Sequence, residues 1–283
     1  MRSRTNKTKT ILLYTAAILL FVYIIAPFLW LIIMSVSSSE DLTTRPLRWI
    51  PKRINLSSYA ELLTMGINSR GELFLHGLRN SLVTALLAVA ISMVVTIPAS
   101  WVFSRHPGKK NLILYAAIFT FMLPPVAYAL PLYRILSQIG LLDKSFSLAL
   151  VYCTIVLPFC VWLIKENIDA IPYELEEAAI IDGAGLFTQI TKVVLPLLLP
   201  SLGTVALLSL IMAWDEYFYA MLFTNSKQAI TLPVVIANLA SGRQSNYNLI
   251  AAGGVLASLP PVIIGFLFQR SLIKGLAMGG VKE

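Results

Sequence analysis

Charge is what this sequence lacks. Only 13% of its 283 residues are Asp, Glu, Lys or Arg, while 57% are hydrophobic; a soluble domain of this size carries about 25% charged residues. So few charges cannot cover a globular surface in water, which excludes a free-standing soluble enzyme. The absences are also clustered. No charged residue falls between Lys9 and Glu40, Arg79 and Arg105, Lys110 and Arg134, Lys144 and Lys165, Lys192 and Asp215, or Arg243 and Arg270. A helix crosses the hydrocarbon core of a lipid bilayer with about 20 apolar residues. The gaps therefore predict an all-α membrane protein with six transmembrane helices, near 11–35, 81–103, 112–133, 146–164, 198–221 and 250–270, in a single transmembrane domain over 1–283.

Other residues are scarce too. The two cysteines, Cys153 and Cys160, both fall in the fourth predicted span. Seven residues of helix part them by about 10 Å, too far for a disulfide, and no histidine or carboxylate neighbours suggest a metal. They read as small apolar packing residues. The two histidines, His76 and His106, fall near opposite ends of the second span and cannot share a site. There is no Gly-x-x-x-x-Gly-Lys-Ser/Thr phosphate loop, no Gly-x-Ser-x-Gly elbow and no His-Glu-x-x-His. The chain is not its own ATPase, binds no cofactor by any motif, and holds no hydrolase constellation.

What is present first sets orientation. Arg2, Arg4, Lys7 and Lys9 precede the first span, and Ser-Ser-Ser-Glu-Asp follows it. A secretory signal core is about 7–15 residues long, shorter than this run, so the segment reads as an uncleaved span. Basic residues beside the first span direct that end inward. Both termini, the turn 104–111 and the segment 165–197 are then cytoplasmic. Segments 36–79, 134–145 and 225–249 are outside. The net charge of +8 is an orientation signal, with nothing that points to nucleic acid. Short interfacial helices are expected around Tyr59, Leu62 and Leu63.

Pro27, Pro98, Pro124, Pro125, Pro131 and Pro158 fall at membrane depth. Each removes a backbone donor and kinks its helix, and neighbouring helices or water must satisfy the freed carbonyls. Met122-Leu123-Pro124-Pro125 is the strongest break, either simple curvature or a broken helix lining a solvated path.

The segment richest in chemistry is 169–197. Pro172 suits a first helical position, and Glu174, Glu176 and Glu177 oppose the positive end of the helix dipole. Gly183 and Gly185 can supply a positive-φ helix stop. A second short helix follows with Phe187, Ile190 and Val194 along one face, and Pro196 and Pro200 then start the fifth span. An acidic, alanine-rich helix end suits a groove on another protein, with Glu177 pairing an arginine there. The other reading is a solvated amphipathic connector.

This segment resembles the EAA motif of importer-type ABC permeases, carried here by Glu177, Ala178, Ala179, Gly183, Val193, Leu195 and Pro196, with Asp182 and Ala184 as in the carbohydrate branch. Val193 stands where the family has isoleucine. Asn80-Ser81-Leu82, Ser104-Arg105, Trp214-Asp215-Glu216-Tyr217 and the tail from Gln269 to Lys282 also look like that branch, nearest its shorter maltose/glycerol-phosphate-type permease. Asp215 departs from the asparagine common there. The resemblance implies a type I ABC importer permease fold with a cytoplasmic coupling helix, in a bacterial inner membrane. It implies a second homologous permease subunit, two ATPase subunits that carry ATP and Mg, and an extracytoplasmic solute-binding protein. Glu177, Ala178, Ala179, Asp182 and Gly183 would couple to the ATPase. The substrate would be a sugar or sugar derivative. By position, Arg243, Gln244, Ser245 and Asn246 resemble a loop that reaches the binding protein; an ordinary solvated loop is the other reading. Trp214, Asp215, Glu216 and Tyr217 either line the substrate path or form an aromatic belt with solvated carboxylates. The competing function class is an ion-coupled secondary transporter. It needs ionisable residues buried mid-span, and only Asp215 and Glu216, near a span end, come close.

Overall fold

A computed structural model describes residues 7–46, 48–106, 108–241 and 246–280. Helix makes up 79% of the structure, with no strand among the described residues, so the chain is all-α. In order the elements are α1 (Lys7–Val36), α2 (Ser39–Thr43), α3 (Ser57–Leu63), α4 (Arg70–Arg105), α5 (Lys109–Met122), α6 (Val126–Gln138), α7 (Ser145–Asp169), α8 (Glu174–Ile181) and α9 (Leu186–Thr188). A π-helical stretch, Gln189–Val194, leads into α10 (Leu195–Trp214), followed by α11 (Phe218–Phe223), α12 (Leu232–Ala240) and α13 (Tyr247–Gly280).

Among the described residues, five helices are long and apolar enough to cross a membrane: Lys9–Val36, Arg70–Arg105, Ser145–Asp169, Leu186–Trp214 and Tyr247–Gln269. The sixth expected crossing, 112–133, is two helices. Leu112–Met122 and Val126–Gln138 are bent by 102°. Pro124 and Pro125 supply no N–H, and a proline pushes its predecessor out of the α region; Leu123 is accordingly extended, at φ −74° and ψ 142°. Pro27, Pro98, Pro131 and Pro158 instead sit inside helices that run on past them.

Two other boundaries depart from expectation. The second crossing starts at Arg70, well before 81, because charge-free windows measure only the lipid-crossing length. Its true start carries a cap: Ser69 Oγ accepts the Glu72 N–H at 3.0 Å while Glu72 Oε2 accepts the Asn68 N–H at 2.7 Å, a variant of the Ser-x-x-Glu capping box. The fifth crossing ends at Trp214 and not at 221, and reaches back to Leu186. The expected separate helix after the Gly183 turn runs into it through the π stretch. A wider turn N-terminal to Pro196 makes room for a ring that would otherwise meet the carbonyl four residues back.

The chain forms two compact units: residues through Phe74 with Ile236–Ser258, and Leu75–Val235 with the residues from Leu259 onward. In the first, α1 exposes Leu12, Phe21 and Tyr23 at 70%, 63% and 78%, an apolar surface that needs lipid or protein cover. Its end is tied down by Asn55 N–H donating to the Val36 carbonyl at 2.8 Å and by Ser35 Oγ against Tyr59 Oη at 2.6 Å. Tyr59 and the buried Leu62 lie on α3, a short helix where one was expected. Gly71 lets α4 pass α3, since a Cβ there would collide with the carbonyls of Thr64 and Glu61.

The second unit is built on α7, whose Tyr152, Val156, Ile164 and Ile168 are buried with Leu198 of α10 and Tyr219 of α11. Cys160 is buried too, its Sγ 2.9 Å from Ser209 Oγ, a packing residue as read. Asn167 Oδ1 accepts from Ser201 Oγ at 2.7 Å, a second polar tie between α7 and α10. Asn80 Nδ2 donates to the carbonyls of Lys227 and Ile230, both at 3.0 Å, and Ser81 Oγ accepts the Leu232 N–H at 2.8 Å. The Asn-Ser pair thus stitches α4 to the turn before α12.

Candidate functional site

Helix α8 begins where three carboxylates can face its dipole. Glu174, Glu176 and Glu177 occupy the first turn, with Pro172 two residues before the helix and not at its first position. The exit is a Schellman turn. Gly183 has φ +80°; its N–H donates to the Ile180 carbonyl, and the Ala184 N–H to the Ala179 carbonyl, both at 2.9 Å. These are the paired bonds that define that cap. Gly185 was the other candidate for a positive φ, but it is at −70° and precedes α9. Gln189, nearly buried, closes the corner by donating Nε2 to the Ala184 carbonyl at 2.9 Å.

The three glutamates diverge. Glu177 and Ala178 are exposed and Ala179 half-exposed. Asp182 caps the helix, also exposed. Beside them stand large apolar side chains in the open: Ile180 at 48%, Ile181 at 86%, Leu186 at 55% and Phe187 at 80%. Of the face expected on the second short helix, Phe187 is outward and Val194 buried. The result is a corner with small, acidic and bulky apolar groups side by side.

Glu176 points the other way and is fully buried. Its Oε1 accepts from Arg105 Nε at 2.7 Å and its Oε2 from Trp101 Nε1 at 2.8 Å. Arg105 also donates to the Ile171 carbonyl at 2.9 Å and lies over the Tyr173 ring, 5.5 Å from its centroid. Ser104 bonds Asp169, which Lys165 also reaches at 2.6 Å. The end of α4 is thereby fastened both to α7 and to α8. Sequence reasoning missed Glu176, Trp101 and Lys165. The signal was a basic residue ending α4 and an extra carboxylate in α8, in a chain where charge is rare.

At the end of α10 the four residues 214–217 separate. Trp214 is buried and borders a small void with Leu210, Pro261 and Ile264, while Asp215 is exposed. The half-buried Glu216 turns its carboxylate back onto α11, accepting the N–H groups of Tyr219 at 3.0 and 3.1 Å and of Ala220 at 3.2 Å. The Glu216 carbonyl accepts from Tyr152 Oη at 3.2 Å, and Tyr217 Oη lies 3.0 Å from Met221 Sδ. None of the four borders the cavity of about 600 Å³ that lies between the broken α5–α6 pair and α7, lined by Leu123, Tyr128, Pro131, Cys153 and Thr154. Arg243, Gln244 and Ser245 lie outside the described residues. Asn246 precedes α13 and accepts from Ser39 Oγ at 3.1 Å.

Residues 79–278 match the model of a protein family described as binding-protein-dependent transport system inner membrane component. The chain is 34% identical over 264 residues to the trehalose transport system permease protein SugB of Mycobacterium tuberculosis, covering 92% of this chain and 93% of that protein. It is 30% identical over 285 residues to the trehalose/maltose transport system permease protein MalG of Thermococcus litoralis, covering 99% of each. Its fold matches a chain in the crystal structure of a bacterial ABC transporter involved in the import of the acidic polysaccharide alginate, at a TM-score of 0.77 and 23% identity over 95% of this chain and 98% of that one. The chain belongs to the binding-protein-dependent transport system inner membrane component family, the multi-pass permeases of ABC importers.

Proposed function

We propose that this chain is the membrane subunit of an ATP-driven importer for a sugar or sugar derivative, forming half of the translocation pathway and docking an ATPase through α8. The observation that carries the docking reading is the two-sidedness of α8. One face is locked to α4 through Glu176, and the other presents Glu177, Ala178 and bulky apolar groups. An outward-facing apolar corner on a fixed helix needs a partner. Relatives named for trehalose and maltose transport support the sugar class.

In this reading both termini, the 104–111 turn and the 165–197 segment are cytoplasmic, and the whole chain works as one permease domain in the inner membrane. A second homologous permease subunit completes the pathway, and two ATPase subunits supply ATP and Mg. A solute-binding protein docks outside, with Arg243, Gln244, Ser245 and Asn246 in its reach. Closure of the ATPase pair moves α8 and opens the path outward. Asp215 and Tyr217, the exposed members of the 214–217 group, are candidates to meet substrate, with Trp214 and Glu216 shaping their backbone. Glu177→Lys inverts the charge on the docking face. It should release the ATPase from the purified complex while the permease still inserts. Undiminished co-purification of the ATPase would overturn the docking role.

A further inference from the structure

We infer that Arg105, Glu176 and Trp101 form the rigid link through which movement of α8 reaches α4, the second crossing; this rests on the reading of α8 as the ATPase dock. The three side chains come from elements far apart in sequence and meet out of water. Glu176 is 0% exposed, Trp101 6%, and the Arg105 side chain 10%. Each carboxylate oxygen has its own donor, Arg105 Nε for Oε1 and Trp101 Nε1 for Oε2.

Stability does not account for such a cluster. Well-packed apolar side chains in place of a buried ion pair are often neutral or stabilising. What short, directional bonds add is resistance to sliding and rotation, which apolar packing lacks. Arg105 holds three successive features of the approach to α8: the Ile171 carbonyl, the Tyr173 ring and the Glu176 carboxylate. Rotating α8 against α4 would break buried charged bonds, which is costly. The anchor and the docking face also lie one residue apart. Glu176 and Glu177 are adjacent, about 100° apart around the helix, so a force on one face is delivered to the other within the same turn. Ser104, Asp169 and Lys165 extend the fastening to α7. Trp101, Arg105 and Glu176 are therefore positioning residues for energy coupling.

The test uses the assembled importer in proteoliposomes, with uptake and ATP hydrolysis measured together. Glu176→Gln keeps the shape but leaves one of the two donors facing the amide NH2, itself a donor. It should retain the ATPase at the parent ratio while sugar taken up per ATP falls about tenfold, within the span of coupling free energies between sites. Parental uptake per ATP in Glu176→Gln would overturn the link. So would loss of the ATPase from that variant, because the cluster would then only shape the docking face. Should Glu176→Gln fail to insert, Arg105→Lys decides. A lysine keeps the charge but cannot offer the planar fork, so coupling should fall, and parental coupling overturns the link. The docking reading is judged separately, on whether the parent chain retains the ATPase at all.

Discussion

Gly183 carries the turn on which the proposed docking corner depends, and its conformation sets what a substitution costs. At φ +80° no atom lies within 4 Å of where a Cβ would stand, so the penalty for a side chain is conformational and not a collision. Gly183→Ala should cost about 1–2 kcal/mol, read as a modest drop in the unfolding midpoint in detergent. Gly183→Val should cost more and weaken ATPase retention, because the exit of α8 and the exposed Leu186 and Phe187 shift with the turn. Parental midpoint and retention in the valine variant would show that the turn does not hold the corner. The need for a glycine stop was legible in the sequence, but which of the two glycines took the positive φ was not. Both satisfy the composition rule, and only the pairing of the Gly183 and Ala184 N–H groups with α8 carbonyls decides it. Glu176 was hidden for a related reason. All three glutamates suit a helix start equally well, and burial by Trp101 and Arg105 is a property of the fold.

Among elements, those least legible were the ones whose boundaries are set by hydrogen bonds and not by apolarity. The charge-free windows fall on the five candidate crossings and on the bent α5–α6 pair, yet α4 begins at the Ser69–Glu72 cap well outside its window, and α10 stops where Glu216 begins to cap α11. The Pro124-Pro125 doublet was visible as a break, but its 102° bend depends on how α6 packs. The turn between α6 and α7 shows the same rule. Asp143 has φ +58° and its Oδ1 accepts the N–H groups of Asn225 at 2.8 Å and Ser226 at 3.0 Å, clasping the end of α11. Burial works against its charge, but these backbone donors outweigh it and hold the carboxyl below its ordinary value of 3.8. A depressed pKa means that the clasp's contribution is present above the unfolded value and is lost as pH falls through the folded one. The 225–226 amides should therefore be protected from hydrogen exchange at neutral pH and lose protection below about pH 4. Asp143→Asn keeps an acceptor and tolerates the positive φ, so its protection should no longer vary with acid. Asp143→Ala removes both bonds and should cost about 1–3 kcal/mol. Acid-independent protection in the parent would mean that the carboxylate is not the clasp.

At the scale of the whole molecule, the scarcity of charge yields both halves of the account. It makes the chain a membrane protein, and it gives weight to each charge that remains. Arg105, Lys165, Asp169 and Glu176 pair where α4, α7 and α8 meet, and the proposed docking corner extends from that point. The central claim is that α8 faces the cytoplasm and rests against an ATPase. Ala178→Cys, in a chain with Cys153 and Cys160 replaced by alanine, tests it most directly. In the assembled importer the new thiol should cross-link to the ATPase with a short bifunctional reagent, and in intact cells it should resist an impermeant maleimide. Labelling from outside, or a thiol that reacts freely beside the ATPase without ever cross-linking to it, would contradict the account.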